Sequence, residues 1–134
     1  MAFDYGTKRI GVAVGQTVSR TATALKVISA NNGRPRWQDI AALVDEWSPD
    51  LFVVGKPGYE DHRLNPVCEE IERFSRRLSG RYNRPVEFVD ERLSSFAASE
   101  DDQAGARGLD AAAAKMILLT WLEQPSVDSL AASQ

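Results

Sequence analysis

The residues that dominate soft-metal and redox chemistry are nearly missing from this sequence. One cysteine, Cys68, and one histidine, His62, stand among 134 residues. A lone thiol excludes an intramolecular disulfide and a cysteine-built zinc site. Long apolar runs are missing too: none approaches the roughly 20 residues that a bilayer span needs, and no stretch has the form of a secretory signal. An excess of positive charge is also lacking. Lys and Arg total 16 against 19 Asp and Glu, a net charge of −3, so the chain does not announce itself as a basic nucleic-acid binder. Clustered charges matter more than that total. The rest, 43% apolar and 26% charged, has the composition of an ordinary globular domain. The expectation is a cytoplasmic protein without a membrane partner, with one folded domain over residues 1–124 and a small, polar, disordered tail over 125–134.

Along the chain, residues 2–5 and 9–14 read as short strands joined by Gly6-Thr7-Lys8, a hairpin connection. Residues 21–28 make a third strand, and Asn31-Asn32-Gly33-Arg34-Pro35 breaks the chain. The period then becomes helical, with Trp37, Ile40, Ala41, Val44 and Trp47 on one stripe that ends before Ser48-Pro49. Leu51-Phe52-Val53-Val54-Gly55 is a continuous apolar strand of the kind covered on both faces. A charged loop at 56–64 leads to a second helix marked by Val67, Ile71, Phe74 and Leu78, and then to a strand over 86–90. Ser94 or Ser95 can cap a short helix through Glu100. A polar loop is expected over 101–109 and an Ala-rich helix over 110–123. The order predicts an α/β fold: a five-stranded mixed sheet, a three-stranded antiparallel meander plus two parallel strands, with helices on both faces. The strands at 2–5, 51–55 and 86–90 would finish at one edge, where open α/β sheets bind ligands.

Carboxylates are placed to gather at that edge. Asp4 lies on a buried strand, where an unpartnered charge costs on the order of several kcal/mol even after the surroundings relax. Asp90-Glu91-Arg92 ends the last strand, and its bland reading is a solvated strand end with a local ion pair. Asp110 reads equally as a helix N-cap, but it shares a helical stripe with Ala113, Ala114, Ile117 and Trp121. Converging carboxylates without His or Cys make a hard, oxygen-only site suited to Mg²⁺ or Mn²⁺, and paired ions about 3.5–4 Å apart can clamp a phosphodiester. Lys8, Arg9 and Arg92 would rim the site as phosphate contacts, or simply balance the acids. Arg73, Arg76, Arg77 and Arg81 read as a solvated helix face, Cys68 as packing, and His62 as an exposed loop residue.

Four segments in this order, DYGTKRIGVAV, an apolar strand ending in VGKP, VDERLSS and LDAAAAKMIL, resemble the motif set of the YqgF/RuvX family. The resemblance spans Ala2 to about Gln124. It implies an RNase H-like fold related to the RuvC Holliday-junction resolvases, with Asp4, Glu91 and Asp110 as catalytic, metal-binding acids. It also implies a cytoplasmic nuclease that matures the 5′ end of precursor 16S rRNA, or resolves Holliday junctions; the partners expected are nucleic acid and a ribosome or pre-ribosomal particle, with the chain a monomer or homodimer. Two places depart from the family pattern. Gly55-Lys56-Pro57-Gly58-Tyr59-Glu60-Asp61 stands where the family reads GLP followed by a different polar loop, and the stretch 96–109 is shorter than the basic segment relatives carry there. That shortening gives weight to a second class of function, a nucleic-acid or ribosome-assembly binding module with weak catalysis. A third reading takes DYGTKRIG as the phosphate-binding hairpin of actin-like ATPases. Those proteins need two such domains, and this chain has room for one.

Overall fold

The computed structural model describes residues 1–56, 67–90 and 106–123, and leaves the side chains of residues 67 and 106–110 outside that description. Its strands are β1 (Ala2–Asp4), β2 (Arg9–Gln16), β3 (Thr21–Asn31), β4 (Arg34–Pro35), β5 (Phe52–Lys56) and β6 (Val86–Asp90). Its helices are α1 (Trp37–Trp47), α2 (Val67–Tyr82) and α3 (Ala106–Leu122). The sheet order is β4-β3-β2-β1-β5-β6. β1 to β4 form antiparallel pairs, whereas β5 runs parallel to both β1 and β6.

Among the described residues the sheet therefore has six strands, not the expected five. The added strand comes from the segment read as a chain break. Asn32 and Gly33 both take positive φ, 53° and 81°, as a two-residue hairpin turn demands. The turn lengthens β3 to Asn31 and pairs it with Arg34–Pro35. Pro35 donates no ladder bond and can be tolerated because β4 is an edge. Two residues are too few to show a strand period. In α3 the helix begins at Ala106 rather than at Asp110, so the expected polar loop is helical over 106–109. Gly108, unfavourable inside a helix by about 1 kcal/mol, hides that start from the sequence pattern.

Alternation along the strands builds two cores. Phe3, Tyr5, Ile10, Val12, Ile28, Phe52 and Val54 pack on one side with Ile40 and Leu43 of α1 and Ile71, Phe74 and Leu78 of α2. Ala2, Ala13, Val53 and Val89 face the other side, against Ala114, Ile117, Leu118, Trp121 and Leu122 of α3. Helices on both faces are thus present, as expected. The stripe on α1 is narrower than its spacing suggests: Ile40 and Leu43 are buried, Ala41 is exposed, and Trp47 is 44% exposed. α1 ends where Ser48 turns left-handed and donates its N–H to the Val44 carbonyl at 2.8 Å, after which Pro49 cannot continue the helix. Among the described residues no helix is long and apolar enough to cross a membrane. The short helix expected through Glu100, most of the 56–64 loop and the tail over 125–134 lie outside the described residues.

Candidate functional site

The presentation of Asp4 follows from its two neighbours. Phe3 and Tyr5 both turn to the α1–α2 side, and both rings pack on Phe74, with centroids 5.4 and 5.1 Å away. Asp4 lies between them, so alternation sends its side chain to the face that α3 covers. It is half-buried at the end of β1. In β2 its register partner is Gly11. On the other side Phe3 pairs with Val54, and one further step sets Gly55 beside Asp4. Its register neighbours on both sides of the sheet are therefore glycines, which carry no side chain.

The end of β6 is organised differently. Lys56 is the register partner of Asp90. Its ammonium donates to Glu72 of α2 at 2.8 Å and lies 4.8 Å from the centre of the Phe88 ring. Phe52, Val54 and Lys56 share a parity with Val86, Phe88 and Asp90, and that parity is the α2 side. Asp90 therefore belongs to the face opposite Asp4, which separates it from any group built around Asp4. Glu91 and Arg92 lie outside the described residues. Lys8 and Arg9 are exposed in the β1–β2 turn and at the start of β2, at the end of the sheet where Asp4 lies.

The last two turns of α3 lie at the far end of the sheet. Leu118, Trp121 and Leu122 line a cavity with Met1, Gly15 and Leu51, and the Trp121 indole N–H donates to Glu87 at the start of β6, 2.9 Å. The opening turns of α3 are directed away from that end. Asp110 is the fifth residue of the helix, not its N-cap, and stands one turn before the fully buried Ala114. Of the three acids anticipated from the sequence, Asp4 alone has a described side chain. Among the described residues no three His, Cys, Asp or Glu side chains gather as a metal site.

Tyr5, next to Asp4, carries the clearest electrostatic perturbation near this end of the sheet. Burial raises its phenol above the ordinary value, the Glu70 carboxylate adds to the rise, and Arg73 and Arg77 oppose it. Its hydroxyl donates to the Gly33 carbonyl at 2.7 Å. Sequence spacing did not bring Arg34, Arg73 and Arg77 together around this tyrosine, because Arg34 arrives through the hairpin that the sequence reading missed.

A mixed sheet with an acidic residue at the end of a central strand and helices on both sides is an RNase H-like arrangement. The fold is similar to that of Thermus thermophilus RuvC, solved in complex with a Holliday junction substrate, with a TM-score of 0.55 over 90% of each chain at 13% identity. At that identity the likeness speaks for the fold alone. The sequence is more specific. The family described as "RuvX: Holliday junction resolvase" matches residues 1–124, and the chain belongs to that family. A Pseudomonas fluorescens (strain SBW25) protein is 44% identical over 132 residues, covering 92% of this chain and 91% of the relative. A Hydrogenovibrio crunogenus protein is 41% identical over 123 residues, covering 92% of each. Both carry the name "Putative pre-16S rRNA nuclease".

Proposed function

We propose that this chain is a metal-dependent endonuclease whose substrate is precursor 16S rRNA, cut to mature its 5′ end. The observation that carries the reading is Asp4, half-buried at the end of a central strand, on the α3 face and flanked by Gly11 and Gly55. The names of its relatives in the RuvX family supply the reaction and the substrate class.

The donor set fits Mg²⁺ or Mn²⁺: hard carboxylate oxygens, no His and no thiolate. Asp4, Glu91 and Asp110 would hold the ions. Asp90 is left out because its strand parity places it on the other face. When bound, divalent ions of this kind supply Lewis-acid activation of water and charge neutralisation at the scissile phosphate. The protein's own part is positioning. The Phe3–Phe74–Tyr5 packing holds the backbone on both sides of Asp4, so the carboxylate is presented without rearrangement. Lys8 and Arg9 stand at the rim, where they contact flanking phosphates and fix the register of the strand without reading its bases.

A second substrate arm is set by the junction-bound RuvC fold neighbour. Purified protein incubated in parallel with precursor 16S rRNA and a four-way DNA junction, with Mg²⁺ or Mn²⁺, should cleave the RNA at its 5′ flank. Cleavage of the junction with intact RNA would reassign the protein as a resolvase. Binding of both without product would make it an assembly factor.

A further inference from the structure

On the face of the sheet opposite Asp4, a cavity of about 150 Å³ opens between the β3–β4 hairpin and α2. Tyr5, Gly33 and Trp37 line it, together with three arginines, Arg34, Arg73 and Arg77, and one carboxylate, Glu70. Arg34 comes from the hairpin, and Arg73 and Arg77 are one turn apart on α2. All three arginines are exposed, and among the described residues none of them makes an ion pair. Three guanidinium groups over one carboxylate leave a net positive lining in a protein of net charge −3.

The chemistry of the lining selects the occupant. Guanidinium forks match phosphate oxygens in pairs. The Trp37 ring is not a free platform for a base: Phe74 stacks on it at 5.7 Å and 25°, and the Arg81 guanidinium lies 4.2 Å from its centre. The cavity therefore suits a phosphate rather than a stacked base. Its placement ties it to the catalytic edge. Gly33 donates its N–H to Thr7 in the β1–β2 turn at 2.9 Å and accepts from the Tyr5 hydroxyl, so the hairpin is docked on the turn that carries Lys8. Tyr5 and Asp4 are consecutive residues facing opposite ways.

We propose that this pocket is a phosphate-binding subsite that holds the backbone of the nucleic-acid substrate on the side of the sheet away from Asp4, a reading that rests on the nuclease assignment above. A strand leaving the catalytic edge passes over the β1–β2 turn, along Lys8 and Arg9, and sets a phosphate among Arg34, Arg73 and Arg77. The chain thereby gains a grip that does not depend on the shortened segment 96–109.

The test is fluorescence anisotropy of a labelled single-stranded RNA with full-length protein, in EDTA to prevent cleavage, across a salt series. R73Q and R77Q should each weaken binding several-fold and lower the slope of log affinity against log salt by about 0.7, one phosphate contact on a single strand. R76Q is the control: Arg76 is exposed on the same helix but lines the neighbouring Lys56–Phe88 cavity, so both affinity and slope should stay near the parent values. Glutamine is a good helix former and all three positions are exposed, so thermal midpoints should not move. Parent-like binding by R73Q and R77Q overturns the proposal. So does an equal loss in R76Q, which would mean a diffuse charge effect and no built subsite. Wild-type protein that binds with this slope yet yields no Mg²⁺-dependent product would overturn the nuclease reading instead.

Discussion

Phe74 is the residue through which α1, α2 and β1 are joined, and its truncation is a quantitative test of how Asp4 is held. The ring is 3% exposed. It contacts Phe3 edge-on at 5.4 Å, Tyr5 at 5.1 Å and Trp37 in a stack at 5.7 Å. Phe→Ala in a core removes about 3–5 kcal/mol through lost transfer energy and the cavity left behind. Three aromatic partners, each contributing about 0.5–1.5 kcal/mol beyond burial, place Phe74→Ala at the upper end of that range. A loss of about 4–5 kcal/mol is a large part of the roughly 5–15 kcal/mol by which domains are stable. In urea, with a slope of about 2 kcal/mol/M, the midpoint should fall by about 2 M. Phe74→Leu keeps apolar volume but not the ring contacts and should recover more than half of the loss. Because Phe3 and Tyr5 bracket Asp4, Phe74→Leu should also reduce cleavage more than its folded fraction accounts for. A fall below about 1 kcal/mol for Phe74→Ala would refute the reasoning, since the cavity term alone exceeds that.

The other expectations concern single contacts. Tyr5→Phe removes the hydroxyl that bonds the Gly33 carbonyl at 2.7 Å and should lower stability by about 1 kcal/mol at neutral pH. The Tyr5 phenol is raised above its ordinary value of 10.0. The unfolded chain therefore loses this proton first as pH rises, and the stabilisation, fully present below pH 10.0, falls away through the higher folded value. The gap between wild type and Tyr5→Phe, measured by urea unfolding, should be constant to about pH 9 and shrink above 10. Tyr82 is raised too, chiefly by burial, so part of the alkaline decline should persist in the variant; an unchanged alkaline limb would contradict the Tyr5 assignment. Gly15→Ala should destabilise by about 1–3 kcal/mol or more, because a Cβ there meets the Thr21 backbone carbonyl and stands 2.9 Å from the Leu118 Cδ2. Shortening Leu118 should not rescue it, since the carbonyl remains; wild-type stability in thermal unfolding would be the contrary result.

The physical reasons for what the sequence showed are visible in particular elements. β1, β2, β5 and β6 were legible because their apolar residues alternate or run continuously and are bounded by Gly, Pro and charge. α2 was legible because Val67, Ile71, Phe74 and Leu78 repeat at helical spacing along sixteen helical residues, Val67–Tyr82. β4 was not, since two residues carry no period; the Asn32-Gly33 dipeptide was the signal that could have found it. The first turn of α3 was hidden by Gly108 and by weak apolar patterning. As a result the helix was expected to start at Asp110, which stands at its fifth residue. Asp4 was legible as a charge on a buried strand, but its separation from Asp90 was not, because parity needs the register of β5 with β6. The arginine pocket was invisible for a related reason: Arg73 and Arg77 look like any solvated helix face until the hairpin brings Arg34 and Gly33 to them.

Asp4 is proposed to anchor the hydrolytic chemistry, and its near-isosteric variant tests that role. Single-turnover cleavage of precursor 16S rRNA by wild type and Asp4→Asn is followed with Mg²⁺ present, alongside urea unfolding of both proteins. Cleavage should fall by a factor of at least about 10², the scale of removing one group that stabilises the transition state. The unfolding midpoint should stay close to that of wild type, because asparagine is nearly isosteric with aspartate. Cleavage by Asp4→Asn within a few-fold of wild type, from a protein equally well folded, would contradict that role.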